Sequence, residues 1–131
     1  MSESIRPTGY ITRPQLWALD EACKPICEAF GGPPYLVGSV TERPTFRDVD
    51  VRLILADEEY DALSDAQWCL IGFMTSRHLE AVTGLPIDFQ VQRQTDANAA
   101  YPGKVRNPLG MRGFEHHWVG DQRPPAAKEM P

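Results

Sequence analysis

Residues 48–55, DVDVRLIL, constrain the fold of this chain more than any other stretch. Two acids alternate with two valines, and three apolar residues close the run. In a β-strand, side chains two positions apart point to the same face, so Asp48 and Asp50 share one face while Val49 and Val51 share the other. The pattern predicts a strand with one face in an apolar core and two carboxylates on the opposite face.

The flanking segments supply further elements of an α+β fold. Apolar spacing predicts helices over 13–30 and 65–83. Short β-prone runs predict strands over 35–37 and 87–92. Pro25 lies inside the first helix, and an interior proline removes a backbone hydrogen bond, so we expect a bend or two shorter helices there. The predicted architecture is a small mixed sheet with helices packed mainly on one face.

Composition shifts towards Pro, Gly, Arg and Asn near residue 94. We therefore divide the chain into a core over 1–95 and an irregular, Pro/Gly-rich tail over 96–131. Such a tail orders only against the domain, a partner protein or a second copy of the chain. Residues 40–47 read as a loop, and the acidic stretch 56–62 reads as a turn or the start of a helix.

Composition narrows the functional classes. The chain has 131 residues, 42% hydrophobic and 24% charged, which fits one globular domain. Its net charge of −5 lacks the basic signature of a protein that grips long nucleic acid. No apolar run reaches the ~20 residues of a membrane span, and the first residues do not resemble a secretory signal. Three cysteines do not form a disulfide framework, so we expect a cytoplasmic protein without membrane partners.

A third carboxylate, Asp88, lies on the last predicted strand between two apolar residues. If that strand neighbours 48–55, three acids converge, and a hard cation such as Mg²⁺ (or Mn²⁺) would offset their repulsion. The Gly38-Ser39 turn ends the preceding strand, where backbone N–H groups can bind phosphate oxygens. Arg43 and Arg47 follow and could balance phosphate charge. Taken one by one, Arg43, Arg47, Arg52 and Arg93 are expected to be solvated surface charges.

Together these motifs resemble the polymerase-β-like nucleotidyltransferase superfamily, in particular its minimal, stand-alone members. The resemblance spans about 13–93 and rests on LVGS (36–39), RDVDVRLIL (47–55) and IDFQV (87–91). The spacer between Gly-Ser and the acids is slightly short for the family, and no helical acceptor-binding domain follows.

The resemblance implies specific roles for five residues. Gly38 and Ser39 would bind the triphosphate, and Asp48 and Asp50 would hold two metal ions. Asp88 would hold the catalytic metal and help to deprotonate the acceptor.

The implied activity is Mg-dependent transfer of a nucleoside monophosphate from an NTP to a hydroxyl or phosphate acceptor, with release of pyrophosphate. The acceptor is left open between a small molecule, a protein and an RNA end. The alternative is a catalytically silent nucleotide-binding or antitoxin-like regulatory module that acts with a partner protein. The tail over 96–131 is where we expect a protein partner or a homodimer contact.

Overall fold

The computed structural model describes residues 11–42, 47–100 and 106–111. They form an α+β fold, as predicted, in which helices pack against a mixed sheet. In chain order, the elements are α1 (Arg13–Phe30), β1 (Tyr35–Val37), α2 (Ser39–Glu42), β2 (Val49–Leu55), α3 (Asp57–Tyr60), α4 (Asp65–Thr83), β3 (Ile87–Arg93), α5 (Gln94–Ala100) and β4 (Asn107–Pro108).

The sheet has four strands in the order β3-β2-β1-β4. β1 runs antiparallel to both β2 and β4, whereas β2 and β3 are parallel. Parallel neighbours need a crossover connection, which α3 and α4 supply. The register places Asp50 opposite Asp88 on β3 and opposite Val37 on β1.

Both long helices begin with reciprocal capping. At α1, the Thr12 hydroxyl accepts the Gln15 N–H at 3.2 Å, and the Gln15 side chain accepts the Thr12 N–H at 2.8 Å. Ser64 and Gln67 repeat the arrangement at α4, at 3.1 and 2.8 Å. Each box satisfies two N–H groups that lack partners within the helix. Ser64 is thus the N-cap of α4.

Residues of α1 and α4 bury one face of the sheet, which we call the core face. Every second residue of β2 and β3 belongs to this apolar cluster, together with side chains of both helices: Val49, Val51, Leu53, Leu55, Ile87, Phe89, Val91, Leu16, Leu19, Cys23, Trp68 and Leu79. Alternation therefore leaves Asp50, Arg52, Asp88 and Gln90 on the opposite side, which we call the polar face.

The free edge of β3 is covered by α4. The Ser76 hydroxyl accepts the Phe89 N–H at 2.8 Å and donates to the Phe89 carbonyl at 3.3 Å. Gly72 permits the approach, since a Cβ there would lie 2.9 Å from the Phe89 carbonyl oxygen. This contact satisfies the backbone groups of Phe89 at a strand edge that could otherwise pair with another chain.

The chain after β4 is anchored to α1. Leu109 is fully buried, and the Gly110 N–H donates to the buried Asp20 carboxylate at 2.8 Å. Gly110 has a φ of +86°, and a Cβ there would lie 2.9 Å from the Cys23 carbonyl oxygen. Burial raises the pKa of the Cys23 thiol to about 12, as expected of a cysteine that acts as a small core residue.

Three expectations about secondary structure are wrong. Two shorter helices do not form at Pro25: α1 continues through the proline as one helix of 18 residues, because buried residues on both sides of it hold the helix against the core. Residues 39–42 form α2 rather than loop. The stretch 96–131, expected to be irregular, contains most of α5 and all of β4. β4 forms because it completes the sheet by pairing with β1.

Within the described ranges, no helix has both the length and the apolar character needed to cross a membrane.

Candidate functional site

Two of the three predicted acids lie side by side on the polar face. Asp50 and Asp88 occupy equivalent positions on the parallel strands β2 and β3. Residues in register on neighbouring strands point to the same face, so their carboxylates converge. The Asp50 side chain is 26% exposed and that of Asp88 is 38% exposed, so both are partly shielded yet accessible.

Gly38 packs directly against Asp50. It follows β1, has a φ of +79°, and its carbonyl oxygen accepts the Thr41 N–H at 3.0 Å and the Thr41 hydroxyl at 2.7 Å. A Cβ at Gly38 would overlap the Oδ2 atom of Asp50 and lie 3.2 Å from its Cγ atom. Both the backbone conformation and the space therefore favour glycine here. The predicted glycine bend adjoins the predicted acid.

Arg52 joins the two acids. Its Nη2 atom lies 3.2 Å from Oδ2 of Asp88 and 3.7 Å from Oδ1 of Asp50. Its Nη1 atom donates to the backbone oxygens of Asp88 at 2.6 Å and Val51 at 3.1 Å. The residue is only 7% exposed, which contradicts the expectation of a solvated surface charge. The reason is that Arg52 lies two residues after Asp50, on the same face, where two carboxylates compensate its charge.

Desolvation is the largest influence on the Asp50 carboxyl and raises its pKa. The Arg52 guanidinium acts in the opposite direction, whereas the charges of Asp88 and Asp48 raise the pKa further. The net direction is upward, so the carboxylate form is held at a cost to the fold. A cation at this position would reduce that cost.

The remaining predicted residues are distributed around this pair. Asp48 and Arg47 are exposed in the bend that precedes β2. The charge of Asp48 influences the pKa of Asp50, so these two carboxylates lie within electrostatic range of each other. Ser39 opens α2, directly after Gly38. Arg43 lies outside the described residues.

An open cleft of about 570 Å³ lies next to Asp88, between α4 and the edge of β3. Phe73, Ser76 and Arg77 line it on the α4 side, and Asp88 and Gln90 line it on the β3 side. Both Asp88 carboxylate oxygens accept from the Gln90 amide at 3.2 Å. Asp88 is therefore reachable both from the cleft and from the polar face.

Carboxylate oxygens suit Mg²⁺ and Mn²⁺, and two carboxylates converge here. In the described part of the chain, however, no three His, Cys, Asp or Glu side chains are grouped closely enough to hold a metal ion. Asp50 with Asp48 could hold one ion whose other ligands are phosphate oxygens, whereas Arg52 already occupies the approach between Asp50 and Asp88.

Arg52 and Gln90 are the two polar-face residues that the sequence interpretation missed. Each follows a predicted acid by two positions on its strand, so the same alternation that placed Asp48 and Asp50 together also places these residues beside the acids. The signal was present but was outweighed by the general preference of arginine for the surface.

No protein-family model matches this chain, and searches of curated proteins and of solved structures found no match.

Proposed function

We propose that this chain is a Mg²⁺- or Mn²⁺-dependent nucleotidyltransferase. It would transfer a nucleoside monophosphate from an NTP to a hydroxyl or phosphate acceptor and release pyrophosphate. The observation that carries the proposal is the in-register placement of Asp50 and Asp88 on one face, with Gly38 against Asp50. Catalysis of phosphoryl transfer depends on such positioning and on neutralisation of charge.

The phosphate side of the site is assigned to the β1 end. Gly38 lies on the β1 side of Asp50, whereas Asp88 lies on the β3 side, so the triphosphate and the acceptor approach from opposite directions. Backbone N–H groups after Gly38, together with Ser39, would bind the triphosphate, and the exposed Arg47 would balance its charge. A divalent ion held by Asp48 and Asp50 would supply neutralisation of the phosphate oxygens.

The acceptor is assigned to the cleft beside Asp88. A hydroxyl placed there would attack the α-phosphorus, and the bond between that phosphorus and the bridging oxygen of pyrophosphate would break. The Asp88 carboxylate would take the hydroxyl proton. The exposed Arg77 and Phe73 on the cleft wall suit a polar or planar acceptor, which leaves a small molecule, a protein side chain and an RNA end as candidates.

The test measures incorporation of label from α-³²P-labelled NTP in the presence of Mg²⁺ or Mn²⁺. Nucleosides, an RNA oligonucleotide and the protein itself are supplied as acceptors. Replacing Asp50 by Asn should lower incorporation by about hundredfold or more, because an interaction with the transferring charge is lost. Glu58→Gln on α3 removes one exposed charge away from the site and should leave the rate unchanged. Equal rates for wild type and Asp50→Asn would refute the mechanism.

A second function is favoured by one observation, the Arg52 guanidinium between the acids. Because Arg52 pairs with both carboxylates, part of their charge is compensated without a metal ion. A silent nucleotide-binding or antitoxin-like module, acting with a partner protein, would have this property. Calorimetry with NTP and Mg²⁺ separates the two functions: binding without labelled product supports the module, whereas binding with product supports the enzyme.

The proposed compartment is the cytoplasm. All three cysteines are free thiols, and both Cys23 and Cys27 are buried on α1, so the fold does not depend on disulfides. Such cysteine use fits a reducing environment. The oxidation state of the three cysteines, measured on protein taken from the reducing and from the oxidising compartments of an expressing cell, tests this assignment.

A further inference from the structure

Arg52 is the least expected member of the candidate site, and its surroundings identify its role. It is nine-tenths buried, and its charge is shared by Asp50 and Asp88 through one nitrogen, Nη2. The neighbouring Nη1 atom is fixed by two backbone carbonyl oxygens. The guanidinium is thus held by the strands themselves and does not reach the acids as a flexible surface group.

The Nε atom of Arg52 is buried and has no hydrogen-bond partner among the residues that the structure describes. A buried donor without a partner is costly, and it persists where the other contacts of the group outweigh that cost. The four contacts of Nη1 and Nη2 therefore define the position of the side chain. Rotation of Arg52 away from the acids would break all four.

We propose that Arg52 takes the place of one of the two cations expected in a nucleotidyltransferase site, so that this site binds one divalent ion and not two. This inference rests on the proposed function. An ion that bridged Asp50 and Asp88 would share their inner oxygens with the guanidinium, and two cations there would repel. The pair of carboxylates left to hold the single ion is Asp48 and Asp50, and the charge of Asp48 already influences the Asp50 carboxyl.

The experiment counts Mn²⁺ ions per chain by equilibrium dialysis of the full-length protein. Non-hydrolysable α,β-methylene analogues of the four NTPs are present on both sides of the membrane. Wild type should bind one Mn²⁺. Two ions would overturn the inference and leave the proposed function standing, whereas no bound ion with any analogue would overturn both.

The matched variant is Arg52→Met, which removes the charge and keeps an unbranched side chain. It should bind two Mn²⁺ ions, the second at least tenfold more tightly than any second ion on wild type, and the pair should show spin coupling in the EPR spectrum. A single ion on folded Arg52→Met would overturn the inference. Arg13→Met changes net charge equally on the exposed first turn of α1 and should still bind one ion. The wild-type count decides alone if Arg52→Met does not fold.

Discussion

Replacing Gly38 by Ala tests the close approach between the glycine bend and Asp50. Two costs add. An alanine at a φ of +79° costs about 1–2 kcal/mol relative to a right-handed conformation. The new Cβ also overlaps Oδ2 of Asp50, so the carboxylate must rotate away from its preferred rotamer, at about 0.5–1.5 kcal/mol. The expected total loss in free energy of unfolding is about 1.5–3.5 kcal/mol.

Gly31→Ala is the matched control. Gly31 also has a left-handed φ, +72°, but a Cβ there meets nothing within 4 Å. It should therefore show only the conformational cost, about 1–2 kcal/mol. Urea unfolding of both variants measures the difference. In an Asp50→Ala background, most of the additional cost of Gly38→Ala should disappear, as coupling through a direct contact requires. Equal costs for the two glycines, or no coupling to Asp50, would refute the close approach.

Three further predictions concern charge and anchoring. The pKa of Asp50 is raised above its ordinary value of 3.8, so its ionised form opposes folding. Asp50→Asn should therefore raise the melting temperature at pH 7 and have no such effect below pH 3.8. A lower melting temperature of the variant at pH 7 would contradict this. Hydrogen bonds from the Thr95 hydroxyl and N–H lower the pKa of Asp57. Asp57→Asn should therefore lower the melting temperature at neutral pH, and the difference in melting temperature from wild type should vanish as pH falls through the depressed pKa. A difference in melting temperature that does not depend on pH would contradict this. Asp20→Ala leaves the Gly110 N–H without its acceptor and should lower the free energy of unfolding by about 1–3 kcal/mol. Hydrogen exchange of the Gly110 amide should become faster. Unchanged exchange at Gly110 would show that the anchor is not needed.

The local signals that predicted the fold are strong ones. α1 and α4 are present because apolar periodicity, capping residues and closing glycines agree along each helix, and β3 is present because its apolar and polar residues alternate. Register was not predictable from these signals. That Asp50 lies opposite Asp88 depends on the crossover through α4 and on the contact of Ser76 with the edge of β3, neither of which leaves a periodic trace.

The C-terminal elements were missed for a physical reason. β4 contains two residues, Asn107 and Pro108, and its stability comes from pairing with β1 and from burial of Leu109. No local propensity favours a strand there, so tertiary contact decides. The continuity of α1 through Pro25 has a similar origin, because core packing outweighs the loss of one helical hydrogen bond.

We propose that Asp50, Asp88 and Gly38 form one site for a metal ion and a nucleotide. The most direct test is paramagnetic broadening by Mn²⁺ of backbone amide signals in ¹⁵N-labelled protein, with a non-hydrolysable NTP analogue present. We predict that the amides of Gly38, Asp50 and Asp88 lose intensity first, at less than one Mn²⁺ per chain, while those of Glu58 and Glu59 on α3 are retained. Earlier loss at the acids of α3, with the three site amides intact, would contradict the account.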